Sequence, residues 1–143
     1  MRVRPAREDD ARAMAALAGQ LGYASTQVEI LARMRDIGTQ SDHAVLVVEE
    51  NVVVGWIHVF GAHRIESDPF AEIGGLVVAE GQRSRSLGAA LVAAAEDWAI
   101  EHGYRRMRVR SNIVRERARR FYERHGYACT KQSFVFAKSL GNP

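Results

Sequence analysis

The sequence predicts a single α/β (α+β) domain, with a mixed, mostly antiparallel sheet of six to seven strands and about four helices on both faces. Three observations predict it. Apolar runs such as Ala44-Val45-Leu46-Val47-Val48 read as strands. Helical stretches with their own start and stop residues lie between them. No repeat, low-complexity tract or linker interrupts the order, so all of residues 1–143 are expected in one domain large enough to bury a core.

The elements follow in order. Residues 1–5 read as a first strand with Val3 facing inward. Glu8-Asp9-Asp10 opens a helix from Ala11 to Gln20, because carboxylates favour the positive end of a helix dipole, and Gly22 stops it. Thr26 and Glu29 have the spacing of a capping box. A second helix therefore follows, with Val28, Ile30, Leu31 and Met34 as its apolar positions and Gly38 at its end. Ala44 to Val48 and Val52 to Phe60 form a hairpin around Glu49-Glu50-Asn51. A polar loop from Gly61 to Asp68 leads through Pro69 into a strand from Phe70 to Val78. The third helix runs from about Gly88 to His102, with Leu87, Leu91, Ala95 and Trp98 on one face and Gly103 as its stop. Tyr104 to Ser111 alternates, placing Met107 and Val109 inward and Arg106, Arg108 and Arg110 outward. Asn112 can cap a fourth helix through Arg124, closed by Gly126. Tyr127 to Thr130 and Ser133 to Lys138 complete the sheet.

Composition narrows the class. Charged residues make up 26% and hydrophobic residues 47%, shares that fit a soluble globular protein. No apolar run approaches the roughly 20 residues of a membrane span, so no membrane partner is expected. The N-terminus lacks the apolar core of a secretory signal. One cysteine, Cys129, cannot close an internal disulfide, which fits a reducing cytoplasm, and it reads as a small core residue. The net charge of +3 is concentrated in arginines between Arg105 and Arg124. Such a patch can attract nucleic acid, an anionic cofactor or an acidic partner. It lacks interleaved aromatics that stack on bases, which favours a solvated face over nucleic-acid recognition.

The most informative stretch is the strand from Phe70 to Val78, the turn after it and the helix beyond. Unpaired N–H groups at a helix start, with the dipole behind them, make an anion site, and Arg83 and Arg85 add full charges. The turn has neither the GxxxxGK[ST] of a P-loop nor the GxGxxG of a dinucleotide fold. It reads Gln82-Arg83-Ser84-Arg85-Ser86-Leu87-Gly88. This run resembles the pyrophosphate loop, Gln/Arg-x-x-Gly-x-Gly/Ala, of the GNAT superfamily of acetyl-CoA-dependent N-acetyltransferases. Arg83 matches its first position and Gly88 its last, while Ser86 replaces the first glycine. Phe70 to Val78 resembles the family's fourth strand. Ser111-Asn112 and Phe121-Tyr122-Glu123-Arg124-His125-Gly126-Tyr127 resemble its last helix and the turn after it. The resemblance spans residues 70–138; the N-terminal third matches in length and element order.

The resemblance implies a GNAT-like fold whose sheet splays after the fourth strand, and acetyl transfer from acetyl-CoA to a primary amine in a ternary complex. Leu76, Val77 and Val78 would offer a backbone edge to the pantetheine amides, while their side chains serve the core. The pyrophosphate would lie over the N–H groups of Arg83, Ser84, Arg85, Ser86, Leu87 and Gly88. If position 86 needs a left-handed backbone, serine costs about 1–2 kcal/mol there relative to glycine. Tyr122 is the expected acid for the departing thiolate, or else a capping aromatic of the core. Asn112 would bond the cofactor's amide region, or only cap a helix. Glu72 would act as base through water, or be an exposed strand carboxylate; His58 and His63 are weaker candidates. No residue set has metal-ligand spacing, so no metal is expected. The acceptor could be a small molecule, a protein N-terminus or a lysine, and family members are frequently homodimers. Two readings compete: a non-catalytic acyl-CoA-binding regulatory module, suggested by Ser86, and an RNA- or ribosome-directed protein, suggested by the arginines.

Overall fold

The computed structural model describes residues 1–81, 86–111 and 114–141. They fall into two compact units, Met1–Arg110 and Ser111–Pro143. In the first, β1 (Arg2–Pro5) is followed by a 3-10 turn (Glu8–Asp10), α1 (Ala11–Gly19) and α2 (Gln27–Gly38). Then come β2 (His43–Glu50), β3 (Val52–Ala62), β4 (Phe70–Val78), α3 (Leu87–Glu101) and β5 (Met107–Val109). The sheet order is β1-β2-β3-β4-β5. The first three pairings are antiparallel, and β4 with β5 is parallel.

Local chemistry sets most boundaries as expected. Thr26 caps α2 through a full capping box: its Oγ1 accepts from Glu29 N at 3.1 Å, and Glu29 Oε1 accepts from Thr26 N at 2.9 Å. The β2–β3 turn places Asn51 at φ 66°, a left-handed conformation that asparagine tolerates better than most residues. On α3, Leu87, Leu91 and Ala95 are fully buried, and Leu91 lies against Gly55 of β3. The core is built from these with Val47, Val48, Ile57, Val59 and Val77. Each fully buried aliphatic side chain contributes roughly 1.5–3 kcal/mol. Trp98 is half-buried and stacks on His102, with ring centroids 4.3 Å apart.

Four expectations are corrected. On β1 the inward residue is Arg4, 7% exposed, while Val3 is half-buried. A charge is tolerated there because Arg4 holds Asp10 with two hydrogen bonds, of 2.8 and 3.0 Å, and Glu49 with a third of 3.1 Å. Arg7 N also donates to Asp10 Oδ2 at 2.7 Å, so the acidic run serves this cluster as well as the helix start. Arg108 on β5 does not point into solvent. It pairs with Glu72, and its guanidinium lies 4.6 Å from the Phe70 ring centre.

The second unit holds the other two corrections. Its helix, α4, spans Glu116–Arg124, and the expected cap Asn112 lies outside the described residues. Residues 125–141 form neither helix nor strand, so the sheet has five strands among the described residues rather than six to seven. Alternating, β-favouring residues do not suffice for a strand. A ladder partner must take the backbone groups and a buried face must take the side chains. Phe134, Val135 and Phe136 are all exposed. Cys129, expected in the core, is exposed too.

The Arg4 cluster ties β1, the first turn and β2 together. Arg4→Ala should therefore cost about 3–5 kcal/mol in urea unfolding, because it leaves Asp10 buried without a counter-charge. Hydrogen bonds from Arg4 hold the Asp10 and Glu49 carboxyls below their usual range. Their stabilisation is thus complete above that range and drains as pH falls through it. The melting temperature should drop below about pH 4, and less steeply in the Arg4→Ala variant.

Candidate active site

Strand β4 is paired on both sides only at its start. Against β5 the ladder runs Ala71–Met107, Glu72–Arg108 and Ile73–Val109, and there it ends. Against β3 it continues to Val78. Among the described residues, the β5-facing edge from Gly74 to Val78 therefore lies outside the strand ladder. Val77 is 2% exposed and belongs to the core. Leu76 and Val78 are half-buried.

The β3–β4 ladder is also interrupted at this place. His58 pairs with Gly75 and Val59 with Ile73, which leaves Gly74 as the extra residue of a β-bulge. Gly74 is exposed. A Cβ on it would come within 2.8 Å of His58 Nδ1 and 3.1 Å of Phe60, so the histidine ring lies directly against this backbone. A Cβ on Gly75 would stand 3.0 Å from the Trp56 ring. Glycine is needed at both positions for close approach of aromatic rings.

Residues opposed across a ladder share a face of the sheet. Register puts His43 opposite Phe60, Phe60 opposite Glu72, and Glu72 opposite Arg108. On that face Glu72 is 13% exposed, and its Oε1 accepts from Arg108 Nε at 3.0 Å, with Arg110 Nε at 4.0 Å. Arg108 Nη2 and Trp56 Nε1 are buried without hydrogen-bond partners among the described residues. His43 Nδ1 and His58 Nε2 share a hydrogen bond of 2.9 Å. Burial, and then the neighbouring His43, push the His58 imidazole down to about 4.

At the end of this strand–turn–helix connection, Ser86 has φ 63° and ψ 19°, the left-handed conformation, and its side chain makes no capping bond. Leu87 and Gly88, both buried, open α3. The first N–H groups of a helix have no partner within it, so this end of α3 can receive an anion. The expected partners Arg83, Ser84 and Arg85 lie outside the described residues. In the second unit Tyr122 is half-buried, edge-on to Phe121 and Tyr127. Burial pushes its phenol up to about 12.

The first unit therefore brings Glu72, Leu76, Val77 and Val78 onto one strand, with Ser86 to Gly88 at the helix start that follows. Tyr122 belongs to the other unit. Sequence reasoning missed His43 and Arg108, whose places depend on strand register. It did weigh His58, but as a lone strand histidine, whereas the structure gives it a partner. No group of three or more His, Cys, Asp or Glu among the described residues is arranged to hold a metal ion.

Comparison with known proteins bears on this arrangement. The model of the acetyltransferase (GNAT) family matches residues 10–127. Aminoalkylphosphonate N-acetyltransferase of Salmonella typhimurium is 37% identical over 100 residues, which cover 68% of this chain and 63% of that protein. The chain thus matches under two thirds of the length of this curated relative. The crystal structure of an aminoglycoside 6'-N-acetyltransferase from Acinetobacter haemolyticus superimposes with a TM-score of 0.84 at 15% identity, over 99% of this chain and 100% of that one. An aminoglycoside N-acetyltransferase in complex with CoA does so at 0.84 and 18%, over 96% and 93%. At these identities the structures establish the fold.

Two outcomes follow from the geometry. Ser86→Gly should stabilise the protein by about 0.5–1 kcal/mol, because relief of the left-handed strain outweighs glycine's greater freedom when unfolded. A lower melting temperature would mean that serine is unstrained there. Because His58 binds its proton more weakly folded than unfolded, protons favour the unfolded chain between its ordinary value of 6.5 and about 4. Melting temperature should fall with pH across that window, and His58→Phe should reduce the slope.

Proposed function

The chain belongs to the GNAT acetyltransferase family, and on that premise we propose that it transfers an acetyl group from acetyl-CoA to the primary amine of a small molecule. One observation carries this reading: β4 runs on to Val78 after its pairing with β5 has stopped at Ile73. A strand edge left out of a ladder can accept an extended, amide-bearing ligand by main-chain hydrogen bonds. Leu76, Val77 and Val78 are the residues assigned to hold pantetheine. The N–H groups of Ser86, Leu87 and Gly88 are assigned the pyrophosphate, with Arg83, Ser84 and Arg85 before them. Asn112 is assigned to the cofactor's amide region. Acetyl-CoA supplies an activated acyl carbon and a thiolate leaving group.

The chain's own residues have three tasks. The exposed backbone at Gly74 leaves room for the reacting centre. Glu72 attracts the acceptor's ammonium and acts on it through water by way of Oε2, since Arg108 occupies Oε1. Tyr122 donates a hydrogen bond and then its proton to the departing sulfur. With its phenol near 12 it is fully protonated at neutral pH.

The acceptor proposed is an amine that also carries an anion. Glu72 is flanked by Arg108 and by Arg110, whose side chain is 54% exposed, so the site holds more positive charge than its one carboxylate neutralises. The curated relative acts, by its name, on an aminoalkylphosphonate, which has both charges. The compartment proposed is the cytoplasm, in keeping with an exposed free thiol at Cys129.

Thiol release from acetyl-CoA tests the reading. The protein should release CoA with aminomethylphosphonate, and with a higher kcat/KM than with neamine, a polycationic amine. No release with either would defeat the enzymatic reading and leave an acyl-CoA-binding module. Tyr122→Phe should lower kcat about 10²-fold with little change in the KM for acetyl-CoA. Ionisation of Tyr122 should not lower the wild-type kcat until about pH 11, one unit below the value at which burial holds it.

A further inference from the structure

The rings of His43, His58 and Phe60 stack on the sheet face that carries Glu72. His43 lies 5.2 Å from His58 and 5.4 Å from Phe60, with interplanar angles of 14° and 19°. Apolar rings would fill this space without desolvating a titratable group. The imidazoles are joined by the 2.9 Å bond between His43 Nδ1 and His58 Nε2. Such a bond needs one N–H and one bare nitrogen, so it couples the two tautomers. If His58 donates from Nε2, its Nδ1 is bare, and that is the atom lying against the exposed backbone of Gly74.

From His43 the line continues outward. His43 Nε2 stands 3.9 Å from Asp42 Oδ1, the reach of a charge pair or of one bridging water. Asp42 is 39% exposed, and its Oδ2 lies 4.0 Å from His63 Nε2. His63 bonds Tyr104 Oη at 3.2 Å. Titratable groups thus run from the bulge in β4 to the surface. The charged or titratable groups on His58 are His43 from β2, with Asp42 behind it, and on the same sheet face Glu72 of β4 with Arg108 of β5. Its neighbours on β3, Trp56 and Phe60, carry no charge.

We propose that His58 and His43 form a proton relay, taking the acceptor's ammonium proton at His58 Nδ1 beside Gly74 and discharging a proton from His43 Nε2 towards Asp42. The inference rests on the acetyl-transfer reading above and deepens it. An N–H bond of the ammonium breaks, and its proton passes through the water at Glu72 to form an N–H at His58 Nδ1. The proton on His58 Nε2 moves to His43 Nδ1, and the one on His43 Nε2 leaves to Asp42 or bulk water. One proton enters, one departs, and both rings remain uncharged. A base held near 4 cannot keep a proton taken from an amine near 10, but a relay need only hand it on.

The test uses the whole chain with acetyl-CoA and aminomethylphosphonate. His58→Gln and His43→Gln should each lower kcat 10- to 100-fold while both KM values stay within twofold. Imidazole in solution should restore a large part of the rate to His58→Ala. Imidazole nitrogen NMR on the unaltered chain supplies a readout independent of turnover. It should find His58 uncharged at neutral pH, with its hydrogen on Nε2 and Nδ1 bare. A resting His58 hydrogen on Nδ1 would overturn the relay, whatever the variants do. So would an unchanged kcat in His58→Gln, or a loss that imidazole does not restore, and either would leave acetyl transfer standing. No thiol release by the wild type with aminomethylphosphonate or neamine would instead remove the transfer reading, and the relay with it.

Discussion

The incomplete pairing of β4 is the constraint from which the candidate site follows. A parallel neighbour cannot be reached by a hairpin; the chain must cross over the sheet, and here α3 makes the crossing. The crossing begins at the end of β4 that β5 leaves bare. One connection therefore creates both features that the proposed acetyl-CoA site uses: an edge from Gly74 to Val78 that is unladdered among the described residues, and a helix start at Leu87. Neither depends on a particular side chain. Ser86, just before that helix start, holds a left-handed backbone, a conformation that strains a serine more than a glycine.

The second constraint is the bulge. By placing Gly74 out of register it leaves backbone exposed where pairing with β5 stops, and it brings His58 against that backbone. Paired imidazoles on an otherwise aromatic patch would be a poor choice for stability alone. The same face joins Glu72 to Arg108, so its ionisable groups come from four adjacent strands. That concentration sets it apart from the opposite face, where Leu91 of α3 lies against Gly55.

Charge in the first unit has two separate jobs. Arg4, Asp10 and Glu49 form a nearly dry cluster with short bonds, and its place is the joint between β1, the first turn and β2. Removing one partner of such a buried pair costs more than the pair itself contributes, because the other is left as an uncompensated charge. Glu72 and Arg108 are somewhat less enclosed; Arg108, like Arg4, keeps one buried nitrogen without a partner among the described residues, and Arg110 stands nearby in solvent.

Much of this protein was legible in its sequence because the deciding interactions are local. The capping box at Thr26, the turn at Asn51, the apolar face of α3 and the β4–turn–α3 connection each depend on residues a few positions apart. The ordered resemblance across residues 70–138 likewise identified the family. What the sequence could not supply was pairing. Whether Arg4 or Val3 faces the core, whether Arg108 meets solvent or Glu72, and whether His58 is alone or bonded to His43 all depend on strand register. A shift of one residue reverses every face. The alternating stretch from Ser133 to Lys138 makes the same point from the other side: its residues favour extended chain, but only a neighbouring strand turns extended chain into sheet.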